Sequence, residues 1–231
     1  MERTPSALAK MIDHTLLKPN ITNEEMKQAC DVARAYGFKS VAMNAAMIPF
    51  AARELAGSGV LCDSAVGFPL GQCTIETKAF EAEDAIRKGA GEIDYVLNIV
   101  EANNGNWDYI EREMRAIVGV CNAHGLTSKV VFETCYLSDE QKRKVCEIAV
   151  RVRPTFVKTS TGFGPGGATL EDVRLMKACV GDAVLVKAAG GIRTASQALA
   201  FIEAGASRIG TSNGARLVDE YAAMLRAEKE Q

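Results

Sequence analysis

The sequence predicts an α/β fold: a single (β/α)8 TIM barrel spanning residues 1–231 as one domain, with a short N-terminal helix. Three observations predict it. A phrase made of a short β-branched run, a turn and an amphipathic helical stretch recurs eight times along the chain. The length, 231 residues, suits one lean barrel. Ionisable residues fall late in three of the strand-like runs, at the end where such a barrel carries its active site.

The strand-like runs lie at 12–17, 40–44, 61–67, 92–98, 129–135, 155–160, 184–189 and 208–211. The residues before Ile12 are expected to form a short helix that plugs the bottom of the barrel. Between the runs, helical spacing keeps one stripe apolar. The stretch from Trp107 aligns Ile110, Met114, Ile117, Val118 and Cys121, and a later one aligns Val145, Ile148, Ala149 and Val152. Helix starts carry capping-box pairs, in which a hydroxyl and a side chain three residues on satisfy each other's backbone N–H groups. The pairs are Thr22 with Glu25, Ser138 with Gln141, and Thr194 with Gln197. Gly37, Gly89, Gly125, Gly181 and Gly205 close helices before the next strand. Alternating strands and helices imply parallel strands with crossover helices, and eight units favour closure over an open sheet. No linker or charge block divides the chain, and the charged tail after Leu225 is expected to be exposed.

Composition sets further bounds. Hydrophobic residues are 48% and charged residues 24%, as in ordinary globular domains. A net charge of -2 supplies no pull towards nucleic acid or an anionic membrane. No apolar run approaches the ~20 residues of a membrane span, and the stretch from Met1 to Met11 lacks the apolar region of a signal peptide. The expected location is the cytoplasm. Seven cysteines show no C-x-x-C pair and read as reduced thiols. With only His14 and His124, no histidine-rich metal site is expected, and no cofactor.

The chemistry lies in the strands. Asp94 lies in strand four, Lys158 in strand six and Lys187 in strand seven. A lysine aimed at the helix layer would sit unpaired in an apolar seam, which is costly; one aimed into the barrel mouth is tolerable and useful. Two lysines at like depth on adjacent strands disfavour each other's charge, as burial also does. A neutral amine is what attack on a carbonyl requires, and Asp94 can move protons and hold the second lysine charged. Glycines follow. Gly190-Gly191-Ile192-Arg193 comes after strand seven, and Gly210-Thr211-Ser212-Asn213-Gly214 spans the end of strand eight. Loops seven and eight commonly cradle phosphate in this fold through backbone N–H groups. A third glycine-rich loop, from Gly162 to Gly167, follows strand six and reads either as a closure over the same phosphate or simply as a mobile lid.

These segments, in this order, resemble the deoxyribose-phosphate aldolase family. The likeness runs from Ile12-Asp13-His14-Thr15-Leu16-Leu17-Lys18-Pro19 through Gly67-Phe68-Pro69-Leu70-Gly71, Glu92-Ile93-Asp94, Glu133-Thr134 and Val157-Lys158-Thr159-Ser160-Thr161-Gly162-Phe163. It continues through Val186-Lys187-Ala188-Ala189-Gly190-Gly191-Ile192-Arg193 and ends on Gly210-Thr211-Ser212. It implies reversible, metal-independent cleavage of 2-deoxy-D-ribose 5-phosphate to D-glyceraldehyde 3-phosphate and acetaldehyde through a lysine Schiff base. By that likeness Lys158 forms the Schiff base, Lys187 perturbs it and Asp94 relays protons. The phosphate and substrate positions would be Gly190, Gly191, Gly210, Ser212, Thr159 and Gly162, with Asp13 and Thr15 at the end of strand one. Barrels of this family are often dimers, so a homodimer or higher homo-oligomer is expected. The chain departs from the pattern at Ala42-Met43-Asn44-Ala45, where many relatives carry Cys-Val-Asn-Pro. It departs again at Phe163, where longer relatives carry a lysine, and in its ending Glu228-Lys229-Glu230-Gln231, where longer relatives have a tyrosine. The competing readings are a metal-dependent aldolase, which would need a histidine and carboxylate cluster, a phosphosugar isomerase or another Schiff-base barrel, and a barrel that only binds a sugar phosphate. A binder has no need of paired lysines.

Overall fold

The computed structural model describes residues 2–230, so Met1 and Gln231, the ends of the predicted domain, lie outside them. Among the described residues, eight parallel strands close into a barrel in sequence order. They are β1 (Ile12–Leu16), β2 (Ser40–Asn44), β3 (Leu61–Val66), β4 (Glu92–Val96), β5 (Thr127–Val131), β6 (Phe156–Lys158), β7 (Leu185–Ala189) and β8 (Arg208–Thr211). The helices around them are α1 (Pro5–Ala9), α2 (Asn23–Tyr36), α3 (Ile48–Glu54), α4 (Ile75–Arg87), α5 (Ile99–Asn103), α6 (Trp107–Ala123), α7 (Asp139–Val152), α8 (Leu170–Val180), α9 (Ala195–Glu203) and α10 (Gly214–Lys229).

The helix boundaries follow the local chemistry. Thr22, Ser138 and Thr194 each cap a helix with a complete capping box. Gly37 ends α2 in the left-handed conformation, φ +68°, which costs a glycine nothing. Predicted strands ran past the ladder at their C-terminal ends. Residues 97–98, 132–135 and 159–160 leave the sheet and turn into the mouth, and Glu133 adopts φ +51° as it does so. Strand five also begins earlier than predicted, because Thr127 pairs with Glu92. The N-terminal helix forms and packs on α10, with Leu8 and Ala9 buried. The charged residues after Leu225 continue α10 to Lys229 and are exposed there.

Two layers make the core. Residues pointing outward from the strands, among them Val41, Met43, Ile93, Tyr95, Val130, Val157, Val186 and Ile209, are buried between barrel and helices. Each such side chain contributes about 1.5–3 kcal/mol from burial. The residues one position away face the lumen, and many of these are charged.

Candidate active site

Lys158 ends β6 and stands in register with Lys187 on β7, so the two side chains leave neighbouring strands on the same face. From β4, Asp94 reaches both: its Oδ2 accepts from Lys158 Nζ at 2.5 Å and from Lys187 Nζ at 2.8 Å. The three residues that sequence placed late in separate strands therefore meet as one hydrogen-bonded group.

Beneath them the lumen is filled with ions. Lys129 on β5 lies 2.7 Å from Asp94 Oδ1, 2.8 Å from Asp63 and 2.7 Å from Glu92. Lys187 also meets Asp13 at 2.5 Å and Asp63 at 3.2 Å. Arg208, at the start of β8, bridges Asp13 and Glu92 at 2.7 and 2.9 Å. Asp13, Asp63 and Glu92 present oxygens close enough together for a metal ion, but each is engaged with lysine or arginine nitrogens.

Electrostatics separate the two lysines. Burial, and then the positive charge of Lys187, push the Lys158 amine below its usual range, against the pull of Asp94. Burial works against the Lys187 charge too, but the carboxylates of Asp13 and Asp94 outweigh it and hold that amine above its usual range. Asp94 is held well below the carboxylate range, burial notwithstanding, by Lys129, Lys158 and Lys187. An amine whose charged form is disfavoured lies beside one held as an ammonium, and a shared carboxylate connects them.

Lys158 opens onto a cavity of about 510 Å³. Thr15, Gly162, Gly190, Gly191, Gly210 and Ser212 are in its wall, together with Lys18, Phe163 and Arg193. Gly162, Gly190 and Gly191 have φ of +87°, +93° and +80°, which L side chains rarely adopt. A Cβ on Gly210 would come within 2.8 Å of the Ala189 Cβ. Two predicted substrate positions are placed differently. Thr159 is buried, and its hydroxyl accepts from Ala189 N and donates to Ala189 O, tying the end of β6 to β7. Asp13 is fully buried outside the cavity wall, its carboxylate turned onto Ser40, Arg208 and Lys187; this corrects its expected place on the substrate side. Sequence reasoning passed over Asp63, Glu92, Lys129 and Arg208. Their signal was a charge at alternating, lumen-facing positions in otherwise apolar strands. Glu133, buried and left-handed, accepts from the backbone N–H and hydroxyl of Thr161 and so anchors the loop after β6.

A model of the DeoC/LacD family of aldolases matches residues 7–217. The chain belongs to this aldolase family. A relative from Caldanaerobacter subterraneus subsp. tengcongensis, named deoxyribose-phosphate aldolase, is 54% identical over 215 residues, which cover 93% of this chain and 93% of that protein. One of the same name from Lactobacillus acidophilus is 48% identical, over 94% of this chain and 92% of that protein. Among solved structures, the deoxyribose phosphate aldolase from Aeropyrum pernix, described as a unique tetramer, superposes with a TM-score of 0.89 at 30% identity. That likeness covers 96% of this chain and 93% of the other. The barrel and the aldolase family expected from the sequence both stand.

Proposed function

We propose that this aldolase cleaves 2-deoxy-D-ribose 5-phosphate reversibly to D-glyceraldehyde 3-phosphate and acetaldehyde, through an imine on Lys158. The observation that carries the reading is the asymmetry of the lysine pair: Lys158 faces the cavity with its charged form disfavoured, while Lys187 behind it is held charged. A free amine attacks the aldehyde carbon of the open-chain sugar, and loss of water leaves an iminium. The iminium draws electrons from the bond between carbons two and three, which breaks as the 3-hydroxyl loses its proton. The enamine is then reprotonated and hydrolysed to acetaldehyde. Asp94 Oδ2, in contact with both nitrogens, takes the proton shed when the amine adds to the carbonyl, and the Lys187 ammonium supplies one when water leaves. At the rim, the N–H groups of Gly190, Gly191 and Gly210, with Ser212, would receive the phosphate, and Lys18 and Arg193 add positive charge to the same wall. No step requires a metal ion. The chain is proposed to work as a homo-oligomer, which sedimentation would test. The deciding assay is acetaldehyde release from deoxyribose 5-phosphate in the presence of a strong chelator. Sustained release is expected; loss that zinc restores would overturn the reading.

A further inference from the structure

Four carboxylates, Asp13, Asp63, Glu92 and Asp94, share the lumen with four cationic groups, Lys129, Lys158, Lys187 and Arg208. The count balances only while Lys158 is an ammonium. Catalysis needs Lys158 as an amine, which leaves four negative charges against three positive ones among side chains that are all buried. An unpaired buried charge is expensive, and the usual relief is a change of protonation. One of the four carboxyls must therefore be the place where the surplus is neutralised.

The contacts narrow the choice to Glu92 and Asp63, and the weaker ion pairing of Asp63 favours it. Asp13 is engaged through both oxygens, by hydrogen bonds from Ser40 and Arg208 to Oδ1 and by an ion pair of Oδ2 with Lys187. Asp94 also uses both, on Lys129 and on the two lysines of the pair. Glu92 has one unpartnered oxygen, but its other oxygen is held by both Arg208 and Lys129. Asp63 engages only through Oδ2, with Lys129 at 2.8 Å and Lys187 at a longer 3.2 Å, and its Oδ1 is buried with no partner. It pairs in register with Glu92 on β4, and Asp94 and Asp13 also lie near enough to act on it. Burial, then the charge of Asp94, push its carboxyl up to about 6, against Lys129 and Lys187. Asp13 and Asp94 move the other way.

We infer that Asp63 is the proton store of the lumen, a positioning residue that is a neutral acid while Lys158 is a free amine and a carboxylate once the iminium has formed. The inference rests on the imine at Lys158. The route is continuous: Asp63 Oδ2 to Lys187 Nζ at 3.2 Å, Lys187 to Asp94 Oδ2 at 2.8 Å, and Asp94 to Lys158 at 2.5 Å. The step balances. Amine, aldehyde and Asp63 carboxylic acid become iminium, water and Asp63 carboxylate. Lys187 gives one proton to the departing hydroxyl and regains one from Asp63, and hydrolysis of the iminium reverses the transfer. Four positive charges then again face four negative ones.

Infrared difference spectroscopy of the whole enzyme on adding acetaldehyde near neutral pH tests this, with the imine quantified in parallel by borohydride trapping. The expected result is loss of one carboxylic-acid C=O stretch per imine formed. The band should shift when the aspartates alone are ¹³C-labelled, which needs no variant, and should vanish in Asp63→Asn. That variant should also take up one proton per imine from weakly buffered solution, where the wild type takes up none. A trapped imine with no loss of a carboxylic-acid band overturns the store, as does a band that ignores aspartate labelling or survives in Asp63→Asn. No imine at all overturns both the store and the reading on which it rests.

Discussion

Lys78 and Lys158 are both buried beside a carboxylate, and they do opposite things. Lys78, on α4, donates to Gly71 O at 2.6 Å, Val96 O at 2.7 Å and Glu113 Oε1 at 2.6 Å. An ammonium has three protons, and all three are used. Glu113 in turn accepts from Asn98 N through its other oxygen. The pair ties the loop after β3 and the end of β4 to α6, and Gly67 is needed beside it, since a Cβ there would lie 2.8 Å from Lys78 Cε. Lys158 makes one protein hydrogen bond, to Asp94, and otherwise faces the cavity. A saturated buried lysine is a clamp; an unsaturated one beside a second cation is, on the proposed reading, the nucleophile. Burial pushes both amines down, so the direction of the shift does not distinguish them. The number of acceptors does.

Variants at the two places should separate chemistry from stability. Lys187→Leu removes the positive neighbour that depresses Lys158 and the ammonium that supplies protons. Turnover near neutral pH should fall by roughly a thousandfold, from lost acid–base assistance together with about tenfold per unit rise in the Lys158 pKa. The sign follows from the free amine being the active form: activity is lost as pH falls through the Lys158 pKa, so raising that pKa shifts the acid limb upward and leaves part of the rate recoverable in alkali. A pH profile displaced downward instead would break the comparison. Lys78→Met should do the reverse. Leaving Glu113 buried and unpaired costs about 3–5 kcal/mol, visible as a lower urea midpoint, while the folded enzyme keeps its pH profile. A displaced profile with unchanged stability would mean that Lys78 takes part in the chemistry.

A smaller effect is expected at the rim, where neither lysine is touched. Gly191 has room for a Cβ but a φ of +80°. Gly191→Val should therefore act by backbone strain, of about 1–3 kcal/mol, that turns an N–H away from the phosphate. KM for the phosphorylated sugar should rise by about tenfold or more, with kcat on free deoxyribose little changed. Equal losses on both sugars would make the loop structural only.

The sequence showed Lys158, Lys187 and Asp94 because a charge late in a barrel strand breaks an apolar pattern at a place where the fold puts chemistry. It hid Lys78 and Glu113 because charges on helices are ordinarily solvated. Glu113, next to Met114 in the apolar stripe of α6, is buried only because Lys78 arrives from α4. Lys129 lay inside a predicted strand, yet its partnership with Asp94 depends on the register between β4 and β5, which no single segment contains. Asp13 was misplaced for a similar reason: it lies one residue into β1, deep in the lumen, where Ser40, Arg208 and Lys187 from other strands engage its carboxylate.

The central claim is that one lysine of the pair carries the carbon chain, and borohydride reduction in the presence of substrate tests it most directly. Mass spectrometry of the digested enzyme should find one reduced adduct, on the peptide containing Lys158, with none in Lys158→Ala and turnover abolished in that variant. An adduct on Lys187 would reverse the assignment of the two amines, and no adduct under any condition would remove the Schiff-base mechanism.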